Sequence, residues 1–173
     1  MGKLILISGS NNSGKSLFAE QMIARTNGER YYIATMRPCT EDNHRRVEKH
    51  RRQREGLDFR TLELAWRVQD APITADAVVL LEDVSNLFAN VLFDKNGSAD
   101  DVFRDIRGLM DRCRMLVAVT ISDMDAGEYE GETADYINGV NHINQRLYDL
   151  AEVAVTMRDR QPVYQKGGPD EIF

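Results

Sequence analysis

Residues 9–16 read Gly-Ser-Asn-Asn-Ser-Gly-Lys-Ser and fit GxxxxGK[ST] at every fixed position. An apolar run, LILIS at 4–8, precedes them, and a segment with helical apolar spacing, 16–25, follows. A chance match in a chain of this length is roughly a one-in-a-hundred event, so the reading as an ordinary glycine turn is the weaker one. Each position has a physical task. The glycines let the backbone curl so that successive N–H groups face phosphate oxygens. The helix N-terminus adds positive potential. Lys15 reaches the β- and γ-phosphates of a bound triphosphate, and Ser16 coordinates Mg2+. Gly9, Ser10, Asn11, Asn12, Ser13, Gly14, Lys15 and Ser16 are therefore the expected nucleotide-binding residues, with ATP or GTP as co-substrate.

Strands and helices alternate along the rest of the chain. Strands are expected at 4–8, 31–34, 60–64, 77–81, 115–121, 151–157 and 161–165. Helices are expected at 16–25, 41–54, 85–93, 101–114 and 133–150. Residues 36–40 read as a loop carrying Pro38, and 67–73 as a helix or loop around Pro72. Residues 122–132 form an acidic loop, and the terminal KGGPDEIF a loose tail. This is the pattern of an α/β, P-loop NTPase-like (RecA-like) fold, a mostly parallel sheet with helices on both faces. Residues 1–173 are expected to form a single catalytic domain. A hydrophobic share of 42% suffices for its core and excludes bulk disorder. The net charge of −6 argues against a nucleic-acid binder. No apolar stretch approaches the ~20 residues of a membrane span. Cys39 and Cys113 form no CxxC pair, so reduced thiols and a cytoplasmic location are expected.

Two further features carry chemistry. The apolar run at 77–81 ends in Glu82, the position from which a P-loop enzyme supplies a carboxylate near its metal. Asp83 is a weaker candidate, because neighbouring side chains leave a strand in opposite directions. The segment EDNHRRVEKHRRQR at 41–54 has Val47 as its one aliphatic residue, so as a helix it holds no core of its own. Asp42, Arg46, His50 and Arg54 share one face of that helix. A neutral histidine attacks phosphorus, and flanking arginines both disfavour imidazolium and bind phosphate oxygens. The plainer reading is a solvated charged face. His44 lies on another face, and His142, beside apolar neighbours, reads as structural.

With these residues in hand, the chain resembles the bifunctional adenosylcobinamide kinase and adenosylcobinamide-phosphate guanylyltransferase family of cobalamin biosynthesis. The P-loop lies at the extreme N-terminus. Tyr32-Ile33-Ala34-Thr35 matches the family's YIAT strand, and Arg46, His50 and Arg54 its R-x-x-x-H-x-x-x-R helix. Thr61 and Glu63 match a T-x-E element, Leu80-Leu81-Glu82 an LLE strand end, and Asn90-Val91-Leu92-Phe93 resembles an NLLF segment. Asn144-Gln145-Arg146-Leu147 matches a late NQRL helix.

The resemblance implies two reactions. The aminopropanol hydroxyl of adenosylcobinamide is phosphorylated from ATP or GTP. GTP then guanylylates a histidine, here His50, and GMP passes to adenosylcobinamide phosphate. It also implies a corrinoid substrate, a homotrimer, and a nucleotide-binding set that adds Arg46, Arg54, Glu63 and Glu82 to the P-loop, with Mg2+ on Ser16 and Glu82. The sequence departs from the family at 121–138, which lacks the asparagine-glutamate-valine-glycine, glycine-isoleucine-valine-proline and arginine-phenylalanine-arginine-aspartate elements. Glu55 replaces a proline, and Phe59 a tryptophan. Two other classes stay open on the residues: a P-loop small-molecule kinase in which His50 merely binds phosphate, and a non-enzymatic module that contacts a partner in a nucleotide-dependent way.

Overall fold

Seven strands form one sheet in the order β3-β2-β4-β5-β1-β6-β7. They are β1 (Lys3–Gly9), β2 (Arg30–Ala34), β3 (Phe59–Glu63), β4 (Val78–Glu82), β5 (Met115–Ile121), β6 (Val153–Arg158) and β7 (Gln161–Lys166). The first six are parallel, and β7 pairs antiparallel with β6. Among the described residues, five α-helices flank them: α1 (Lys15–Ile23), α2 (Glu41–Gln53), α3 (Val84–Ala89), α4 (Ala99–Met110) and α5 (Gly131–Leu150). The computed structural model describes residues 1–37 and 40–173. The expectations for Pro38 and Cys39 lie outside the described residues.

The central strands are apolar on both faces because both faces are covered. Alternate residues of β1 divide between two cores: Leu4 and Leu6 face one, Ile5 and Ile7 the other. The first core is roofed by α3, α4 and α5 through Leu87, Phe88, Ile106, Leu109, Val140 and Ile143. The second is roofed by α1 through Ala19, Met22 and Ile23, together with Ile172. The expected two-sided architecture is present, with most helical cover on one side.

Caps fix several helix starts. Thr40 accepts from the Asn43 backbone N–H at the head of α2, and Asp83 from that of Asn86 at the head of α3. Ser98 and Asp101 form a reciprocal capping box on α4. Helix α5 lies close against α3 because Gly139 has no side chain; a Cβ there would fall 2.2 Å from the Phe88 ring. Asn144 then ties α5 to the end of β5, donating to the Ile121 carbonyl (2.9 Å) and accepting from the Thr120 hydroxyl (2.7 Å).

The structure refines some local expectations and overturns one, the loose tail. The helix expected at 85–93 is α3 followed by a π-helical turn, Asn90–Asp94. The Pro72 segment contains a 3-10 turn, Val68–Asp70, whose N–H groups at Val68 and Gln69 are held by the buried Asp105 carboxylate. The terminal segment is docked rather than loose: Ile172 is buried, Lys3 donates to the Glu171 carbonyl, and Arg25 lies over the Phe173 ring. His142 is on the surface of α5, 3.4 Å from the Asp100 carboxylate on α4.

Candidate active site

The parallel strands all end on one edge of the sheet, where ligands of open α/β folds bind. That edge carries Gly9 at the end of β1, Thr35 after β2, Glu63 on β3 and Glu82 on β4. One strand, β5, lies between β1 and β4.

The loop at 9–16 has the shape its sequence requires. Gly14 is left-handed (φ 87°) and immediately precedes α1, so the first turn of that helix presents free N–H groups to the loop. A Cβ on Gly9 would fall 2.4 Å from Ser13 Oγ. Ser10, Asn11 and Asn12 are exposed, Ser13 and Lys15 buried. The Lys15 ammonium donates to the Ser10 carbonyl at 3.0 Å, which holds it across the loop.

Ser16 Oγ donates to Glu82 Oε1 at 2.6 Å. The other carboxylate oxygen, Oε2, is buried with no hydrogen-bond partner among the described residues. Burial first, and the neighbouring Asp83 second, push the Glu82 carboxyl above the ordinary carboxylate range. A hydroxyl beside an inward carboxylate with one oxygen unsatisfied is a donor set suited to Mg2+, a hard cation that takes oxygen ligands. Asp83 serves differently: its Oδ1 accepts from Ser85 Oγ (2.8 Å) and from the Asn86 N–H (2.7 Å), so it is consumed in capping α3.

Beside Glu82 opens a pocket of about 430 Å³, within the range for small-ligand sites. Its walls include Arg46, His50, Arg54, Glu63 and Glu82. Five residues singled out from the sequence thus meet at one site. The P-loop adjoins it through the Ser16–Glu82 bond; Ser10, Asn11, Asn12 and Ser13 line a neighbouring depression with Asp123, Arg158 and Arg160. Asp42 is not among the pocket residues; it pairs with Arg45 on the surface (3.6 Å). His44 is exposed and outside the pocket.

Burial lowers the His50 pKa to about 4, assisted by Arg46, Arg54, Lys49 and Lys15 in that order. The imidazole is therefore neutral at neutral pH. Its Nδ1 lies 3.4 Å from the Tyr32 hydroxyl. Burial raises the pKa of that phenol, so it stays protonated. When Nδ1 carries the imidazole proton and donates to Tyr32, Nε2 keeps a free lone pair. The Arg54 guanidinium stacks 3.6 Å from the centre of the Tyr32 ring and donates to Thr61 Oγ1 (3.3 Å).

Tyr32 and Thr35, which the sequence shows only as parts of a strand motif, hold the site together. Thr35 is fully buried; its Oγ1 accepts from the Asp83 N–H (2.9 Å) and lies 2.8 Å from the Asp83 carbonyl, which fixes the backbone beside Glu82. Asn90 was also unassigned. Its amide donates to the Thr35 (2.8 Å) and Ala65 (3.0 Å) carbonyls and ties two walls of the pocket together. The signal available was their polarity inside otherwise apolar segments.

The sequence model of cobinamide kinase / cobinamide phosphate guanyltransferase matches residues 5–162. The chain belongs to this family. The bifunctional adenosylcobalamin biosynthesis protein CobU of Salmonella typhimurium is 32% identical over 169 residues, covering 86% of this chain and 92% of that protein. The Escherichia coli K12 protein of the same name is 39% identical over 101 residues, covering 56% of this chain and about half (54%) of that relative. Among solved structures, an ATPase from the type III secretion system of pathogenic bacteria superposes with a TM-score of 0.56 at 10% identity, over 90% of this chain and 51% of that one. A structurally studied protein of Pyrococcus horikoshii OT3 gives a TM-score of 0.55 at 10% identity, over 99% and 89%. These likenesses show the α/β P-loop fold. Among the described residues, no helix of this cobinamide kinase / guanyltransferase family member is long and apolar enough to cross a membrane.

Proposed function

We propose that this chain, as one catalytic domain spanning residues 1–173, performs both reactions of its family: ATP- or GTP-dependent phosphorylation of adenosylcobinamide, and guanylyl transfer from GTP to the resulting phosphate through His50. The observation that carries this reading is a neutral, half-buried imidazole on the wall of a pocket that shares Glu82 with the P-loop.

In the first reaction the substrate hydroxyl oxygen bonds to the γ-phosphorus, the bridging P–O bond breaks, and the hydroxyl proton leaves. Lys15 and the backbone N–H groups of the loop stabilise the charge on the departing nucleoside diphosphate. In the second, a lone pair of His50 bonds to the α-phosphorus of GTP and the bond to pyrophosphate breaks. Tyr32 orients the ring, while Arg46 and Arg54 hold phosphate oxygens. A phosphate oxygen of adenosylcobinamide phosphate then takes the GMP, the P–N bond breaks, and His50 returns to its neutral form. Ser16 and Glu82 would hold Mg2+, which supplies charge neutralisation at the β- and γ-oxygens when bound. Glu63, on the far wall, contacts the nucleotide. The proposal includes a cytoplasmic location and a homotrimer. The trimer would give α2, which has no buried residue, a neighbour to rest on.

The test supplies adenosylcobinamide, GTP and Mg2+ to the parent and to His50→Ala. The expected products are adenosylcobinamide-GDP from the parent and adenosylcobinamide phosphate alone from the variant. Guanylylated product from His50→Ala contradicts the proposal.

A further inference from the structure

Glu20 is used by none of the steps above, yet its side chain is wholly buried on α1. Its Oε2 accepts from Gln53 Nε2 at 2.6 Å, and its Oε1 is buried with no hydrogen-bond partner among the described residues. Burying a carboxyl group with one oxygen unsatisfied is costly, so its place calls for a reason. The partner supplies one. Gln53 is the last residue of α2, the helix that carries His50.

Helix α2 buries no residue, so its position rests on polar contacts. Those near its C-terminal end are His50 with Tyr32, Arg54 with Tyr32 and Thr61, and Gln53 with Glu20. The first three join α2 to β2 and β3. The fourth joins it to α1, whose first turn is the end of the nucleotide loop. His50 and Gln53 are three apart and neighbour each other on the helix surface, so holding Gln53 fixes the rotation of the turn that presents the imidazole.

We propose that Glu20 is a positioning residue for guanylyl transfer: by anchoring Gln53 it sets the distance between His50 and the phosphates gathered at the start of α1. The inference rests on the reading of His50 as the guanylylated residue. Nucleophilic attack is sensitive to misplacement on the order of 1 Å, which costs about 10²-fold. Phosphorylation of the hydroxyl uses the loop without His50 and does not depend on this anchor.

The experiment follows GMP adduct formation on the full chain by intact mass, at varied GTP with Mg2+. The kinase reaction on adenosylcobinamide is the internal control. Gln53→Ala, at a half-buried helix end, is the deciding variant because it leaves the core intact. Its guanylylation rate at saturating GTP is expected to fall about tenfold or more, with the KM for GTP and the kinase rate within about twofold of the parent. Glu20→Ala is expected to behave likewise. Glu20→Gln, which keeps an acceptor oxygen at the same reach, should restore the rate to within about threefold. A parental guanylylation rate in Gln53→Ala overturns the inference, and so does a parallel loss of both activities in that variant. Absence of any adduct on the parent overturns the histidine reading itself, and the inference with it. That result is distinct from an adduct indifferent to Gln53.

Discussion

At the scale of single residues, the candidate site holds a histidine neutral among cations. Burial and four basic neighbours place the His50 pKa near 4, where an ordinary imidazole titrates near 6.5. NMR titration of the three imidazoles should therefore find His50 with a midpoint near 4, well below the ordinary range. The rate of guanylylation should show no loss attributable to imidazole protonation between pH 8 and about 5.5.

Glu20 gives a prediction of opposite sign. Burial raises its pKa from the ordinary glutamate value of 4.5 to about 7, so the fold binds a proton that the unfolded chain releases. Its contribution to stability is fully present below about 4.5 and is lost as pH rises through about 7. His50, with a lowered pKa, contributes stability that is present above about 6.5 and lost as pH falls through about 4. Comparing the parent with Glu20→Gln isolates the first effect. The melting temperature of the parent should fall relative to the variant between pH 5 and pH 8, and a constant difference contradicts the assignment.

At the scale of elements, the close approach of α3 and α5 depends on a residue with no side chain. Gly139→Val drives methyl groups into the Phe88 ring. Such overpacking costs about 1–3 kcal/mol, and a loss of about 2 kcal/mol lowers the melting temperature by about 4–8 °C in a chain of this size. The docked C-terminal turn gives a second case. Removing residues 169–173 withdraws Ile172 from the core beneath α1 and should lower stability by about 1.5–3 kcal/mol, read by denaturant melts.

These elements also show what the sequence discloses. The strand runs at 4–8 and 115–121 are legible because burial on both faces demands unbroken apolar residues. The P-loop is legible because its glycines and lysine are each required by phosphate geometry. The docking of the tail is not, because Ile172 and Phe173 are only two apolar residues after a polar, glycine-containing stretch and carry no period. The anchoring of α2 is hidden for the same reason. Its contacts are pairwise polar bonds such as Gln53–Glu20, between residues 33 apart in the chain, and they leave no pattern in the local sequence.

At the scale of the whole molecule, the sheet gathers polar residues from four strand ends onto one edge, and the two proposed reactions would share Glu82 and the nucleotide loop. The segment 121–138 carries the departures noted in the sequence. It forms the loop after β5 and the start of α5, beyond the strand that separates the P-loop from Glu82. The proposed trimer predicts a sedimentation mass near three times 19.7 kDa, and a monomer at micromolar concentration contradicts it.

The central claim is that His50 takes GMP. The most direct measurement incubates the protein with Mg2+ and GTP labelled at the α-phosphate, digests it, and locates the label by peptide mass. An acid-labile GMP is expected on the peptide containing His50 and none in His50→Ala. Label on another residue, or undiminished label in the variant, contradicts it.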